Sequence, residues 1–267
     1  MTDDLDRLVT ELLESKKYRD ARLPAETVRD LLEQELPHYR SRKDALEAVR
    51  KKLHNIVAPY LGDPDYAAAA QDLTDAAAQG TLREACLRIL GAHASTRERI
   101  PILEAFYARL FAVTGQPRVI LDLACALHPF SFPWMGLPAD TRYYAYDIHA
   151  PRLELINHFF GLLGLPRLAI QQDILVDPPQ VEADVAFFFK EAHRFEQRQR
   201  GSSRKMLCAV PARWLLVSLP TSSLNGRYNL LERQRALVAS IVENEPWPVR
   251  ELLFEQEVVF CIQKGVT

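Results

Sequence analysis

The chain has 267 residues, of which 48% are hydrophobic and 25% charged, and its net charge is -2. This length allows one large or two moderate domains, and the composition is that of a soluble globular protein. The charge balance excludes a polycation, so any contact with nucleic acid has to rest on local basic patches. The four cysteines form no CxxC pair, so neither a metal site nor a disulfide framework is expected. A membrane span and a signal peptide are not expected either, which favours a cytoplasmic location.

The first hundred residues have the periodicity of helices. Apolar residues recur at helical spacing within 5–13, 28–36 and 46–57, and two shorter helical patterns follow at 66–78 and 82–90. Ser95 and Glu98 match a capping box, which predicts a helix that starts there and continues to Phe111.

Basic residues cluster between His38 and His54 more densely than solvated helix faces require. Most basic residues of the first third are interleaved with Asp and Glu, and for these an ordinary solvated face is the favoured interpretation. Contact with an RNA backbone needs only local cations, so the denser cluster favours such a contact.

From residue 118 onward, strand and helix patterns alternate, which predicts a parallel α/β sheet. We place strands at 118–124, 142–147, 167–172, 183–189 and 213–219, and a helix that begins at Pro151. Two further strand-like runs, 249–255 and 257–263, predict a closing antiparallel pair.

One stretch within this region suggests a ligand site. The short apolar run 119–123 carries Asp122 and is followed by small residues and Pro129, which is typical of a buried strand entering a tight turn. Ligands of open α/β sheets bind beyond the carboxyl ends of the strands. Asp147 ends the next strand near the spacing, roughly 20 residues, at which a carboxylate binds a ribose. These two acids alone leave open both nucleoside binding and an ordinary core strand with a solvated turn acid.

Several motifs together resemble the aminoglycoside-resistance 16S ribosomal RNA methyltransferases. The most specific is HASTRER at 93–99, followed by LDLAC at 121–125 and PWMGLP at 133–138. Weaker matches lie at 15–19, 52–54, 199–202, 220–224 and 262–264. They occur in the family's order along nearly the whole chain.

The resemblance implies two domains. Residues 1–100 would form an all-helical domain that docks on the 30S subunit, and residues 101–267 a Rossmann-like class I methyltransferase domain with a mostly parallel seven-stranded sheet. The family uses S-adenosylmethionine (SAM) to methylate N7 of a guanosine in the decoding A site of 16S rRNA, which blocks aminoglycosides. A monomer that binds neither DNA nor a membrane is expected.

The resemblance also implies site residues. Arg99, with Arg97 as second choice, would hold the SAM carboxylate. The rest of the cofactor would contact Asp122, Ala124, Ala126, Asp147, Asp173 and Ile174. Lys190 and Arg227 would orient the target base, because attack by N7 needs positioning and no general base. The residues expected to meet rRNA are Lys16, Lys17, Arg19, Arg42, Lys43, Arg50, Lys51, Lys52 and His54.

The chain departs from the family at three places. The family's CGLNP turn reads Cys-Ala-Leu-His-Pro at 125–129, Glu-Ala-His follows Lys190 where the family has Leu-Pro, and the loop after Arg227 differs. Ala126 adds a Cβ where glycine permits a positive φ and close approach of SAM. Three alternatives therefore stay open: methylation of another RNA position, an RNA-binding protein with a decayed SAM pocket, and a small-molecule methyltransferase with a helical lid.

Overall fold

The computed structural model describes residues 2–16, 18–57, 62–223 and 229–265. The amino-terminal part contains the helices α1 (Thr2–Glu14), α2 (Ala25–Glu35), α3 (Arg42–Val57), α4 (Tyr66–Gln79), α5 (Leu82–Leu90) and α6 (Ala94–Arg97). The carboxy-terminal helices are α7 (Leu103–Thr114), α8 (Ala150–Leu162), α9 (Ala192–Arg198), α10 (Ser202–Ala209) and α11 (Leu231–Ile241). Within the described ranges, no helix is long and apolar enough to cross a membrane.

Seven strands form one sheet in the order β3-β2-β1-β4-β5-β7-β6. The strands are β1 (Val119–Leu123), β2 (Arg142–Asp147), β3 (Ala169–Gln171), β4 (Ala183–Phe189), β5 (Ala212–Pro220), β6 (Val249–Leu253) and β7 (Glu257–Gln263). The first five pair in parallel, whereas β7 is antiparallel to both β5 and β6. The predicted mostly parallel sheet with a closing antiparallel pair is therefore confirmed.

Helices cover both faces of the sheet. Successive strand residues point to opposite faces, so Ile120 packs in one hydrophobic cluster with α4, α5, α7 and α8, and Leu121 packs in the other with α10 and α11. A third cluster is formed by α1, α2, α3 and the segment between α1 and α2, around Leu12, Leu31 and Val49. The helices α4 and α5 thus share the core of the sheet, whereas α1–α3 have a core of their own. The division at residue 100 stays a prediction.

One helix that was predicted to be continuous is two helices in the structure. The expected helix from Ser95 to Phe111 is split into α6 and α7 by a 3-10 turn at Ile100–Ile102, which contains Pro101. Proline lacks the N–H that a continuing helix needs, and it clashes with the preceding turn. The capping box is also wrong, because His93 occupies the N-cap without a side-chain hydrogen bond and Glu98 pairs with Lys190.

Candidate functional site

A cavity of about 490 Å³ opens at the carboxyl ends of β1, β2 and β4. Its volume is within the range of about 300–1,000 Å³ that small-molecule ligands occupy. Six of the residues predicted to contact the cofactor or the target base line it, namely Ala124, Ala126, Asp147, Asp173, Ile174 and Lys190. The sheet therefore brings together residues that are up to 66 positions apart in the sequence, from Ala124 to Lys190.

The turn after β1 has a left-handed backbone conformation, which usually favours glycine. Ala124 and Ala126 have φ values of 54° and 47°, in the left-handed region. The backbone N–H of Ala126 donates to Asp147 Oδ2 at 3.0 Å, which ties the turn to the end of β2. Both alanines thus keep a left-handed backbone, although this conformation costs a residue with a Cβ about 1–2 kcal/mol.

Asp147 is held by four hydrogen-bond donors. Its Oδ1 accepts from the backbone N–H groups of Ile148 and His149, and its Oδ2 accepts from Ala126 and from Arg152. Arg152 is 1% exposed, and its guanidinium also binds Asp63 at 2.7 Å. These contacts use the roughly four acceptor positions of a carboxylate, so a ribose hydroxyl would have to replace one of them.

Asp173 connects the cavity to the helices α1–α3. Its Oδ1 accepts from the N–H of Leu175, and its Oδ2 accepts from the hydroxyl of Thr27 at 2.8 Å and from Arg198 at 2.6 Å. The other amino group of Arg198 donates to Asp30 at 2.7 Å. At the end of the cavity predicted for adenine, α2 thus holds two lining residues, Asp173 and Arg198, from behind.

Lys190 lies at the mouth of β4. Its backbone is left-handed, with φ 62°, and its N–H donates to the carbonyl of Ser218 on β5. Its ammonium group forms an ion pair with Glu98, which follows α6. Strained backbone of this kind is concentrated at functional sites because only the surrounding structure maintains it.

Asp122 and His128 lie beneath the turn and not on the cavity surface. His128 Nδ1 is 2.8 Å from Asp122 Oδ2, and His128 Nε2 is 2.7 Å from the hydroxyl of Tyr107. The hydroxyl of Tyr143 also donates to Asp122, at 2.8 Å. The histidine that replaces the family's asparagine therefore has a buried partner for each ring nitrogen, which satisfies its polar groups in the core.

Arg99 lies behind the cavity wall, where both it and Glu257 are 2% exposed. Its guanidinium forms two hydrogen bonds with Glu257, at 2.6 and 2.7 Å, and a third with Ser218 at 2.9 Å. Burial opposes ionisation of both groups. Nevertheless, Glu257 raises the pKa of Arg99 and Arg99 lowers the pKa of Glu257, so both stay charged. Arg97 is exposed and donates to the carbonyl of Gly91. An arginine of this segment as ligand of the SAM carboxylate stays a prediction.

The predicted RNA-contacting residues fall into two groups. Lys52 lines the cavity and pairs with Glu35 at 2.6 Å. The exposed members are Lys16, Arg19, Arg42, Lys43, Arg50, Lys51 and His54. Of these, Arg19, Arg42 and Arg50 lie near acidic side chains, respectively Asp20, Asp4 and Glu11. Two predicted residues, Lys17 and Arg227, lie outside the described residues.

The sequence did not reveal several residues that shape the cavity. His93, Arg152, Glu191 and Arg198 all line it. His93 lies in the HASTRER motif and Glu191 in the run that departs from the family after Lys190, but no role in the cavity was predicted for either. Arg152 and Arg198 are charged residues in helices, where a solvated position is the usual expectation. Asp63 does not line the cavity but binds two residues that do, His93 and Arg152, and these contacts outweigh its burial and lower the pKa of Asp63 to about 2.

The sheet order, with its antiparallel β7, and a cavity at the mouth of β1 are those of the Rossmann-like methyltransferase fold, as the similarity to solved structures shows. Among solved structures, the chain is similar to the 16S rRNA methylase RmtB, with a TM-score of 0.79 and 28% identity over 98% of each chain. It is also similar to the 16S rRNA methyltransferase RmtF in complex with S-adenosyl-L-homocysteine, with a TM-score of 0.77 and 30% identity over 98% of each chain.

The family follows from the sequence comparisons. The model of the ribosomal RNA methyltransferase (FmrO) family matches residues 14–260, and the chain belongs to this family. Two relatives named 16S rRNA (guanine(1405)-N(7))-methyltransferase are each 31% identical to it. The one from Frankia casuarinae is matched over 97% of this chain and 94% of its own, and the one from Micromonospora echinospora over 98% and 97%.

Proposed function

We propose that this protein transfers a methyl group from SAM to N7 of a guanosine in the decoding A site of 16S rRNA, within the 30S subunit, and so protects the ribosome from aminoglycosides. The observation that carries the proposal is the convergence of the Ala124–Ala126 turn, Asp147, Asp173 and Lys190 on one cavity at the mouth of β1. Two relatives named 16S rRNA (guanine(1405)-N(7))-methyltransferase, each 31% identical over nearly the full chain, support the same target.

The cavity suits SAM in volume, position and chemistry. In our proposal the turn at Ala124 and Ala126 lies against the methionine part, Asp147 binds the ribose, and Asp173 with the apolar Ile174 lies along the adenine. SAM supplies an electrophilic methyl group on a sulfonium. Because Asp147 already accepts four hydrogen bonds, we expect the ribose hydroxyls to replace the contact with Arg152, the one side-chain donor among them.

The reaction makes modest chemical demands on the protein. The lone pair of guanine N7 is free to attack, so the protein has to hold the base close to the methyl group and in line with the bond that breaks. Lys190, and Arg227 by position in the sequence, orient the base and its phosphate. A guanosine within an RNA helix must first be unstacked, at a cost of a few kcal/mol. We propose that binding of the helical part to the subunit offsets that cost.

We propose that α3 provides the main RNA-facing surface of the helical part. Lys43, Arg50 and His54 recur on one side of α3 and are exposed, whereas Ala45, Val49 and Leu53 are buried on the other side. Phosphate contacts of this kind bind a backbone without reading its sequence. The protein acts as a monomer in the cytoplasm, where one molecule contacts one subunit.

Methyl transfer to isolated 30S subunits tests the proposal. We expect label from SAM to enter 16S rRNA in the intact subunit. Borohydride and aniline cleave RNA at N7-methylguanosine, and primer extension on the cleaved RNA should map the methyl group to one guanosine in the decoding A site. Deproteinised 16S rRNA and a variant with Asp147→Ala serve as controls, and both should incorporate little label. No incorporation, or a methyl group at a different nucleotide, would contradict the proposed function.

A further inference from the structure

Glu191 lines the cavity beside Lys190, the residue proposed to orient the target base. It follows Lys190 at the end of β4 and lines the same cavity as Ala124 and Ala126, with its side chain 20% exposed. The strand β4 pairs directly with β1, on the side opposite to β2 and its Asp147. Glu191 therefore lies on the β4 side of the turn after β1, whereas Asp147 lies on the β2 side.

The carboxylate of Glu191 differs from the other carboxylates of the cavity. Asp147 and Asp173 each accept at least three hydrogen bonds, and Glu98 pairs with Lys190. Within the described ranges, Glu191 accepts no side-chain hydrogen bond, and its ion-pair partner Arg194 is 3.5 Å away.

Its surroundings make this carboxylate costly to keep charged. Burial, opposed by Arg194 and Arg152 and reinforced by Asp147, raises the pKa of Glu191 to about 7. An acceptor held without donors in a concave site gains most from a ligand that supplies donors.

We propose that Glu191 selects the target base by accepting hydrogen bonds from N1–H and N2–H of guanine. This inference rests on the proposed function. Guanine is the one common RNA base with two adjacent donors on its Watson–Crick edge, and a carboxylate offers two acceptors side by side. A flipped base is commonly recognised along this edge. The edge lies across the ring from N7, so one base can present N7 toward the mouth of β1 and its donors toward Glu191.

The same contact assists the reaction. When the N7 lone pair forms the new bond to carbon and the carbon–sulfur bond breaks, positive charge passes from sulfur to the guanine ring. An anion beside that ring therefore stabilises the transition state more than the ground state. Adenine presents an unprotonated N1 to the same carboxylate, which leaves Glu191 without a donor there and opposes binding.

The test compares Glu191→Gln with Glu182→Gln, an exposed glutamate just before β4 that serves as the matched control. Methyl transfer is measured between about pH 5.5 and 8 on 30S subunits with either guanine or adenine at the modified position, and SAM affinity is measured by calorimetry. For the unchanged protein and the control, we expect kcat/KM on guanine to fall as the pH drops below about 7, where Glu191 becomes protonated. Glu191→Gln should be about 10- to 100-fold slower on guanine, with little pH dependence and a smaller preference for guanine over adenine, while its SAM affinity stays unchanged.

Different results separate the inference from the proposed function. If Glu191→Gln keeps the pH profile and the base preference of the unchanged protein, the inference is wrong and the proposed function stands. If the variant loses SAM affinity in proportion to its rate, Glu191 contacts the cofactor and the inference is also wrong. If the unchanged protein methylates no guanine in 30S subunits, both are wrong.

Discussion

Replacing Ala126 by glycine should stabilise this protein, although the same change destabilises most positions. Ala126 has φ 47°, and a left-handed backbone costs a residue with a Cβ about 1–2 kcal/mol. Glycine removes that cost and loses about 0.5–1 kcal/mol through the greater freedom of the unfolded chain. The expected net gain in the free energy of unfolding is about 0.5–1 kcal/mol. For a protein of this size, such a gain raises Tm by about 1–4 °C.

Chemical denaturation of Ala126→Gly measures this gain, and Ala139→Gly is the matched control. Ala139 is an exposed loop residue without a positive φ, so glycine there should cost about 0.5 kcal/mol. The side chain of Ala126 also lines the cavity, so its removal should leave SAM affinity at least as high as before. If Ala126→Gly destabilises the protein as much as Ala139→Gly does, the turn is not strained and the reasoning from φ is refuted.

Three further perturbations have defined outcomes. Glu257→Gln should cost about 3–5 kcal/mol in chemical denaturation because it leaves the buried Arg99 without a carboxylate; a loss below about 1 kcal/mol would mean that the pair is dispensable. Lys43→Glu combined with Arg50→Glu should weaken 30S binding and reduce its salt dependence, while SAM binding is unchanged. If the double variant binds 30S subunits as tightly as the unchanged protein, α3 is not part of the interface. Burial, and to a smaller extent Arg152, lower the pKa of His149 to about 4. As the pH falls, His149 therefore binds a proton in the unfolded chain before it does so in the folded protein, and the free energy of unfolding should decrease between about pH 6.5 and 4. His149→Gln should reduce that slope, and an unchanged slope would contradict the buried neutral histidine.

Most of the strands were predictable because they are short, apolar and followed by a turn. Predicted and observed bounds agree at Arg142–Asp147, Ala183–Phe189 and Glu257–Gln263, because buried strands retain a continuous apolar run. The helices α9 and α10 were not predicted. The first has seven residues and buries only Ala192, so it has too few apolar positions for a periodic signal.

The left-handed turn of the cavity was predictable, but the partners of its charged residues were not. The requirement for a left-handed turn at Ala126 follows from where glycine stands in the family's motif. The partners of Asp147 and Asp173 do not follow from any motif, because Arg152 and Arg198 come from separate helices and Thr27 from α2. Ion pairs of this kind depend on tertiary packing, which brings together residues that are 146 positions apart in the case of Thr27 and Asp173.

The structure of the complex with S-adenosylhomocysteine, together with its affinity measured by calorimetry, would show whether the cavity at the mouth of β1 is the methyl-transfer site. We expect the ribose at Asp147, the adenine beside Asp173 and Ile174, and the homocysteine at the left-handed turn after β1. Binding of the product at another place, or no measurable affinity, would contradict the claim that the cavity at the mouth of β1 is the methyl-transfer site.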